Sequence, residues 1–241
     1  MSGLTKNFYN EIFKLGADLA SSGDITELPP EVRAALPVGV CVAVYLPVDI
    51  IRGITELPTQ AYMDFYNRAN ELLDLIVSRG AEYLKSAGYT AIAQTREYVG
   101  KNSSGNNTLL PHKTVATRAG VGWIGKCALL VTKSRGSMLR ISSILTDAPL
   151  ETAKPVNESS CGDCIACAQA CPGQAVSGRL WEKGKKREMF FDADKCEQAA
   201  RERSKQGFGG DATICGKCIA VCPYSRSVIE QSLHNKKNTH S

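Results

Sequence analysis

The sequence predicts an α/β domain followed by a smaller metal-binding domain. Two observations separate them. Helical and strand-like apolar patterns alternate up to residue 146, and eight of the ten cysteines then fall between Cys161 and Cys222. A polar stretch, ETAKPVNESS, lies between the two regions and reads as a linker. The expected boundaries are 1–155 for the α/β domain, 156–228 for the cysteine domain and 229–241 for a flexible tail.

Each element has its own warrant. Leu4, Phe8, Ile12, Phe13, Leu15 and Leu19 form a helical stripe, which predicts a helix over 4–22, ended by SSGD. VGVCVAVYL, from Val38 to Leu46, reads as a buried strand. A long helix is expected over 58–87, with Tyr62, Phe65, Leu72, Leu73, Ile76 and Leu84 on one side and Gly88 as its stop. Tyr89–Thr95 is strand-like, KNSSGNNT a flexible loop, and His112–Ala119 helical. Cys127–Thr132 and Met138–Thr146 are expected to pair as a hairpin through KSRGS.

Composition narrows the function classes. Hydrophobic residues make up 43% of the chain, enough for a core. No apolar run is long enough for a membrane span, and the N-terminus shows no signal-peptide pattern, so a cytoplasmic protein without membrane contact is expected. In that compartment clustered cysteines indicate metal rather than disulfides. The formal charge of +5 counts thiols as neutral. Eight thiolates around two cores of charge +2 would bring it to about +1 and remove any compositional case for nucleic acid. KGKKR, Lys183–Arg187, reads as a solvated face ahead of a docking site for an acidic donor. Cys41 and Cys127 read as buried core residues.

CGDCIACAQACP, from Cys161 to Pro172, is the C-x2-C-x2-C-x3-C-P run of bacterial ferredoxins with two [4Fe–4S] clusters. In that pattern three close thiolates hold one cluster and the fourth reaches the other. CGKCIAVCP, from Cys215 to Pro223, carries only the last three positions. Cys196 is the nearest unclaimed cysteine and is assigned as the displaced ligand. One cluster then takes Cys161, Cys164, Cys167 and Cys222, and the other takes Cys171, Cys196, Cys215 and Cys218. The segment between Cys196 and Cys215 is polar and glycine-rich, and a surface excursion is expected. Zinc is disfavoured, because its sites usually join two separated cysteine pairs.

AGVGWIGKC, Ala119–Cys127, matches G-x-G-x-x-G and nearly matches a phosphate loop. The order here is helix then strand, and Cys127 stands where a phosphate loop has Ser or Thr, so nucleotide binding is not expected.

ATRAGVGWIGKCALLVTKSRGS, followed by the two cysteine motifs with a lone cysteine between them, resembles the epoxyqueuosine reductases, relatives of the reductive dehalogenases. The resemblance implies a nitroreductase-related, corrinoid-binding α/β domain and a ferredoxin-like domain with two [4Fe–4S] clusters. It implies cobalamin or another corrinoid near Gly122, Trp123, Gly125 and Lys126. It also implies a low-potential electron donor such as ferredoxin or flavodoxin. The family's helical-repeat domain for tRNA has no counterpart after the last cysteine motif, so tRNA is not expected as a partner. The family's acidic proton donor falls at Asn106 or Asn107, and no Asp or Glu occurs from Lys101 to Thr146. An amide is no general acid, which leaves His112 and Tyr98 as candidate proton donors. The resulting expectation is a protein that passes electrons through its clusters to a corrinoid, its own or one carried by a partner protein. The alternatives are an enzyme acting on epoxyqueuosine tRNA or a small molecule, and a ferredoxin-type carrier without corrinoid.

Overall fold

The computed structural model describes residues 2–238, with side chains up to residue 234. Ser2 caps α1 (Gly3–Lys14) by accepting from the Thr5 amide. Gly16, at φ +103°, then ends the helical path. The chain enters strand β1 (Leu19–Asp24), so the helix expected over 4–22 is a helix followed by a strand. Leu15 and Leu19 prolong the apolar stripe in sequence, but the left-handed glycine between them breaks the helix.

Next come β2 (Val38–Tyr45), α2 (Val48–Gly53), α3 (Gln60–Ser86), β3 (Ala91–Ala93) and α4 (Arg96–Lys101). KNSSGNNT holds a two-residue hairpin, β4 (Ser103–Ser104) with β5 (Asn107–Thr108), rather than an unpaired loop. After α5 (His112–Arg118), β6 (Trp123–Ile124) pairs with β7 (Leu130–Val131), while β8 (Leu139–Thr146) joins the main sheet. The expected hairpin through KSRGS is therefore replaced by one through the glycine run, and KSRGS closes on itself by a Thr132–Gly136 bridge. The cysteine region carries α6 (Ala166–Gln169), α7 (Ala193–Phe208), α8 (Lys217–Val221) and α9 (Pro223–Asn238). The tail expected over 229–241 is thus helical to Asn238, and 239–241 lie outside the described residues.

The chain folds into two compact units, each discontinuous. The first comprises Met1–Val44, Asn67–Gly122 and Arg140–Val156; the second comprises Tyr45–Tyr66, Trp123–Leu139 and Asn157–Ser241. A single cut at 155 does not describe this division. Two earlier segments fold with the cysteines because their apolar residues complete that unit's core.

The first unit is built on a four-stranded sheet of order β1-β2-β8-β3. β1 runs antiparallel to β2, with Leu19 opposite Ala43 and Asp24 opposite Val38, and β3 runs antiparallel to β8. Phe8 and Ile12 of α1, Ile76, Val77 and Leu84 of α3, and Val40, Val42 and Ile144 of the strands are fully or almost fully buried. Gly80 sets the approach of α3, since a Cβ there would lie 2.7 Å from both Ile12 Cδ1 and Ile144 Cδ1. Cys41 sits in this core, and burial pushes its thiol up to about 12.

The core of the second unit joins Leu46, Ile51, Ile54, Tyr62 and Met138 to Ile214, Ile219 and Ala220. The first five come from the two early segments and the last three surround the second cysteine motif, so burial of apolar surface binds these separate stretches into one body.

Gly80→Val should destabilise the chain by about 1–3 kcal/mol, the usual cost of forcing carbon into a packed core. The check is the denaturant midpoint at unchanged m-value.

Candidate metal centre

Both C-G-x-C motifs turn in the same way. Gly162 stands at φ +51° and Gly216 at φ +74°, each directly after the first cysteine of its motif. Positive φ is cheap only for glycine, and it curls the chain so that the next cysteine follows on a tight turn; Cys164 N–H donates to Cys161 O at 3.1 Å. Cys167 then lies in α6, Cys218 in α8, and Cys222 at the end of α8. Cys196 lies in the first turn of α7, started by Asp192, which accepts from the Lys195 amide, and ended by Gly209 at φ +74°. The segment expected as a surface excursion after Cys196 continues α7 as far as Phe208 and is helical. Its polar sequence clothes a largely exposed helix, and the glycines come only at its end.

Six of the thiols fall into two groups of three, while Cys218 lines a cavity with members of the first. Cys222 lies beside Cys161 and Cys167. Cys196 lies beside Cys171 and Cys215, and burial followed by those two sulfurs pushes its thiol up to about 11. A cavity of about 260 Å³ is lined by Cys161, Cys164, Cys167, Cys218 and Cys222, with Lys126 and Tyr224 also in its wall. Among the described residues no three His, Cys, Asp or Glu side chains converge as a single metal ion would need. Ligands of a single zinc ion would all stand about 2.0–2.3 Å from one point, whereas these sulfurs surround a volume.

Hydrogen-bond donors face the sulfurs. Trp123 Nε1 lies 3.4 Å from Cys161 Sγ, and the Ala175 amide 3.3 Å from Cys171 Sγ. Backbone amides of Ser225 and Tyr224 act on Cys222. Trp123 is held by an edge-on contact with Tyr224, the ring centres 5.0 Å apart. Lys126 is only 4% exposed, lines the cavity and has no ion-pair partner among the described residues. A buried cation needs compensating negative charge, and thiolates around an iron–sulfur core supply it. This donor set fits two anionic [4Fe–4S] clusters.

The glycine run reaches this site as a turn. Gly125 N–H donates to Leu129 O at 2.8 Å, closing the β6–β7 hairpin over Lys126, Cys127 and Ala128. Trp123, Gly125 and Lys126, which the resemblance places beside a corrinoid, thus stand with the cysteines. Sequence reasoning missed the position of Cys127, which is buried in the turn against Cys167 and Cys218 rather than along a strand. Cys167 lowers the pKa of the Cys127 thiol, while Cys218 and burial raise it, and the pKa ends well above the ordinary range. No spacing rule could have found it, because its neighbours lie 40 and 91 positions away in sequence.

Gly122, Asn106, Tyr98 and His112 belong to the first unit. Asn106 is exposed in the turn of the β4–β5 hairpin. Tyr98, half-buried in α4, borders a small cleft with Gln94 and Asn102. His112 Nδ1 lies 2.7 Å from Ser143 Oγ, and that hydroxyl donates to Gln94 Oε1. With its hydrogen committed to Gln94, Ser143 accepts, so the imidazole donates from Nδ1 and keeps a lone pair on Nε2. Burial and then Arg140 lower its pKa to about 4. At neutral pH His112 has no acidic proton to give.

Residues 160–225 match the family model of the 4Fe-4S double cluster binding domain. The segment is a double [4Fe–4S] cluster domain. The wider chain is similar to epoxyqueuosine reductases: 32% identical over 141 residues to that of Synechococcus sp., covering 58% of this chain and 44% of the relative. Against the enzyme of Aliivibrio fischeri it is 30% identical over 177 residues, 70% of this chain and 44% of the relative. The chain spans under half the length of these relatives. Among solved structures it resembles the catabolic reductive dehalogenase NpRdhA in complex with 3-bromo-4-hydroxybenzoic acid, with TM-score 0.71 and 18% identity over 93% of this chain and 33% of that one. It also resembles an epoxyqueuosine reductase with an epoxyqueuosine-modified tRNA stem loop, with TM-score 0.59 and 18% identity over 92% of this chain and 65% of that one. At such identity the likeness shows the fold: the mixed α/β architecture with a double-cluster domain that the motifs predict. No helix among the described residues is long and apolar enough to cross a membrane.

His112→Gln should flatten the pH dependence of stability. The folded pKa lies below the unfolded value near 6.5, so the unfolded chain takes up the proton first and stability falls as pH drops from 6.5 towards 4. Between pH 7 and 5 the wild type should lose about 2 kcal/mol more than the variant, read as the difference between their denaturant midpoints.

Proposed function

We propose that this chain is an iron–sulfur redox protein that delivers single electrons to a corrinoid. Cys161, Cys164, Cys167 and Cys222 hold one [4Fe–4S] cluster, and Cys171, Cys196, Cys215 and Cys218 hold the other. When bound, the clusters supply one-electron transfer at low potential. The observation that carries this reading is the pairing of distant cysteines, Cys222 with Cys161 and Cys167, and Cys196 with Cys171 and Cys215. That is the crossed arrangement of a two-cluster ferredoxin.

The corrinoid enters as acceptor, on the likeness to a reductive dehalogenase whose structure suggests a mechanism for B12-dependent dehalogenation. One electron converts cob(II)alamin into cob(I)alamin and requires no proton. The residues of the first unit agree: the stretch from Lys101 to Thr146 has no carboxylate, and His112 is neutral with its Nδ1 hydrogen directed at Ser143. The donor side is a low-potential ferredoxin or flavodoxin, and the acceptor is free corrinoid or one carried by a partner protein.

A second reading, reduction of epoxyqueuosine in tRNA, is favoured by the names of the relatives at 28–34% identity. It needs a proton source that the residues above do not provide.

Anaerobically purified protein should contain about eight iron atoms per chain. With a low-potential donor it should convert cob(II)alamin to cob(I)alamin, seen by its absorbance, without turning over epoxyqueuosine tRNA. Turnover of the tRNA at rates matching cobalt reduction would replace this reading with the second.

A further inference from the structure

Cys127 is a ninth cysteine at the double-cluster site. It is 6% exposed, sits at the tip of the β6–β7 turn, and lines the same cavity as Cys167 and Cys218. On the ligand sets proposed above, those two sulfurs belong to different clusters. The adjacent Lys126, buried and without a carboxylate partner, lines the same cavity, so the whole turn is directed at the sulfurs. We infer that Cys127 is not a ligand but a shared hydrogen-bond donor, a thiol whose S–H serves one ligand sulfur of each cluster and raises the reduction potential of both.

The physical basis is short. A thiolate ligand becomes more negative when its cluster gains an electron, and a donor to that sulfur stabilises the reduced state. Hydrogen bonds to the sulfurs are among the determinants of cluster potential. One S–H has one hydrogen and here faces two acceptors, so it turns toward the sulfur carrying more negative charge. A hydroxyl does the same work and a methyl group does not. Trp123 provides a contrast, because its N–H faces Cys161 and therefore one cluster alone.

This inference rests on the two-cluster assignment, and the test keeps the two apart. Wild type, Cys127→Ala, Cys127→Ser and Trp123→Phe are purified anaerobically as full-length chains, assayed for iron and titrated potentiometrically with EPR detection. About eight iron atoms are expected in each. In Cys127→Ala the ratio of reduced to oxidised form at a fixed potential should fall for both clusters, up to about tenfold, equivalent to about 59 mV for one electron. Cys127→Ser should recover part of that shift, and Trp123→Phe should move one midpoint only. Unchanged midpoints in Cys127→Ala at full iron content would overturn the shared donor while leaving the ligand assignment intact. Loss of about half the iron in both Cys127 variants would make Cys127 a ligand and overturn the inference. A wild-type chain without about eight iron atoms would overturn the assignment and the inference with it.

Discussion

Everything in the cysteine unit follows from the crowding of anionic sulfur. On the proposed ligand sets, eight thiolates within one small body repel one another and lose hydration, and they are tolerated only where opposite charge and hydrogen-bond donors replace water. Iron provides most of that charge. The protein adds the Trp123 indole, the amides of Ala175, Tyr224 and Ser225, and the buried Lys126. Most of these donors lie close to a cysteine in sequence. Trp123 and Lys126 lie far in sequence from both cysteine motifs, and they come from a hairpin that has no cysteine-motif signature.

That hairpin changes the meaning of the glycine run. Its spacing resembles a nucleotide loop, yet glycine serves here to close a short turn with its tip facing inward. A fingerprint made of glycines reports backbone freedom, and only the elements around it say what that freedom is for.

The double-cluster domain was legible because the spacing of its two cysteine motifs is set by local turns, and the order of strand and helix through β2, α3 and α5 was legible because long periodic patterns carry their own evidence. The failures were non-local or short. The stripe of α1 runs past a glycine that stops the helix, so β1 went unseen. β6 and β7 have two residues each and no periodicity to read. The polar sequence of α7 suggested an exposed excursion because a helix held by its caps and one buried edge carries little apolar signal. Cys127 is buried as its apolar neighbours announced, but nothing in them could place it in a turn beside the motif cysteines.

The interleaving of the two units has an evolutionary corollary. Ferredoxin modules are readily imagined as cassettes, gained or lost at a single splice. Here Leu46, Ile51, Ile54, Tyr62 and Met138 precede the polar linker in sequence and form one core with residues around the last motif. A recombination event at the polar linker would part the iron-binding loops from their own foundation. Transplanting the cysteine module would therefore require carrying segments 45–66 and 123–139 along with it.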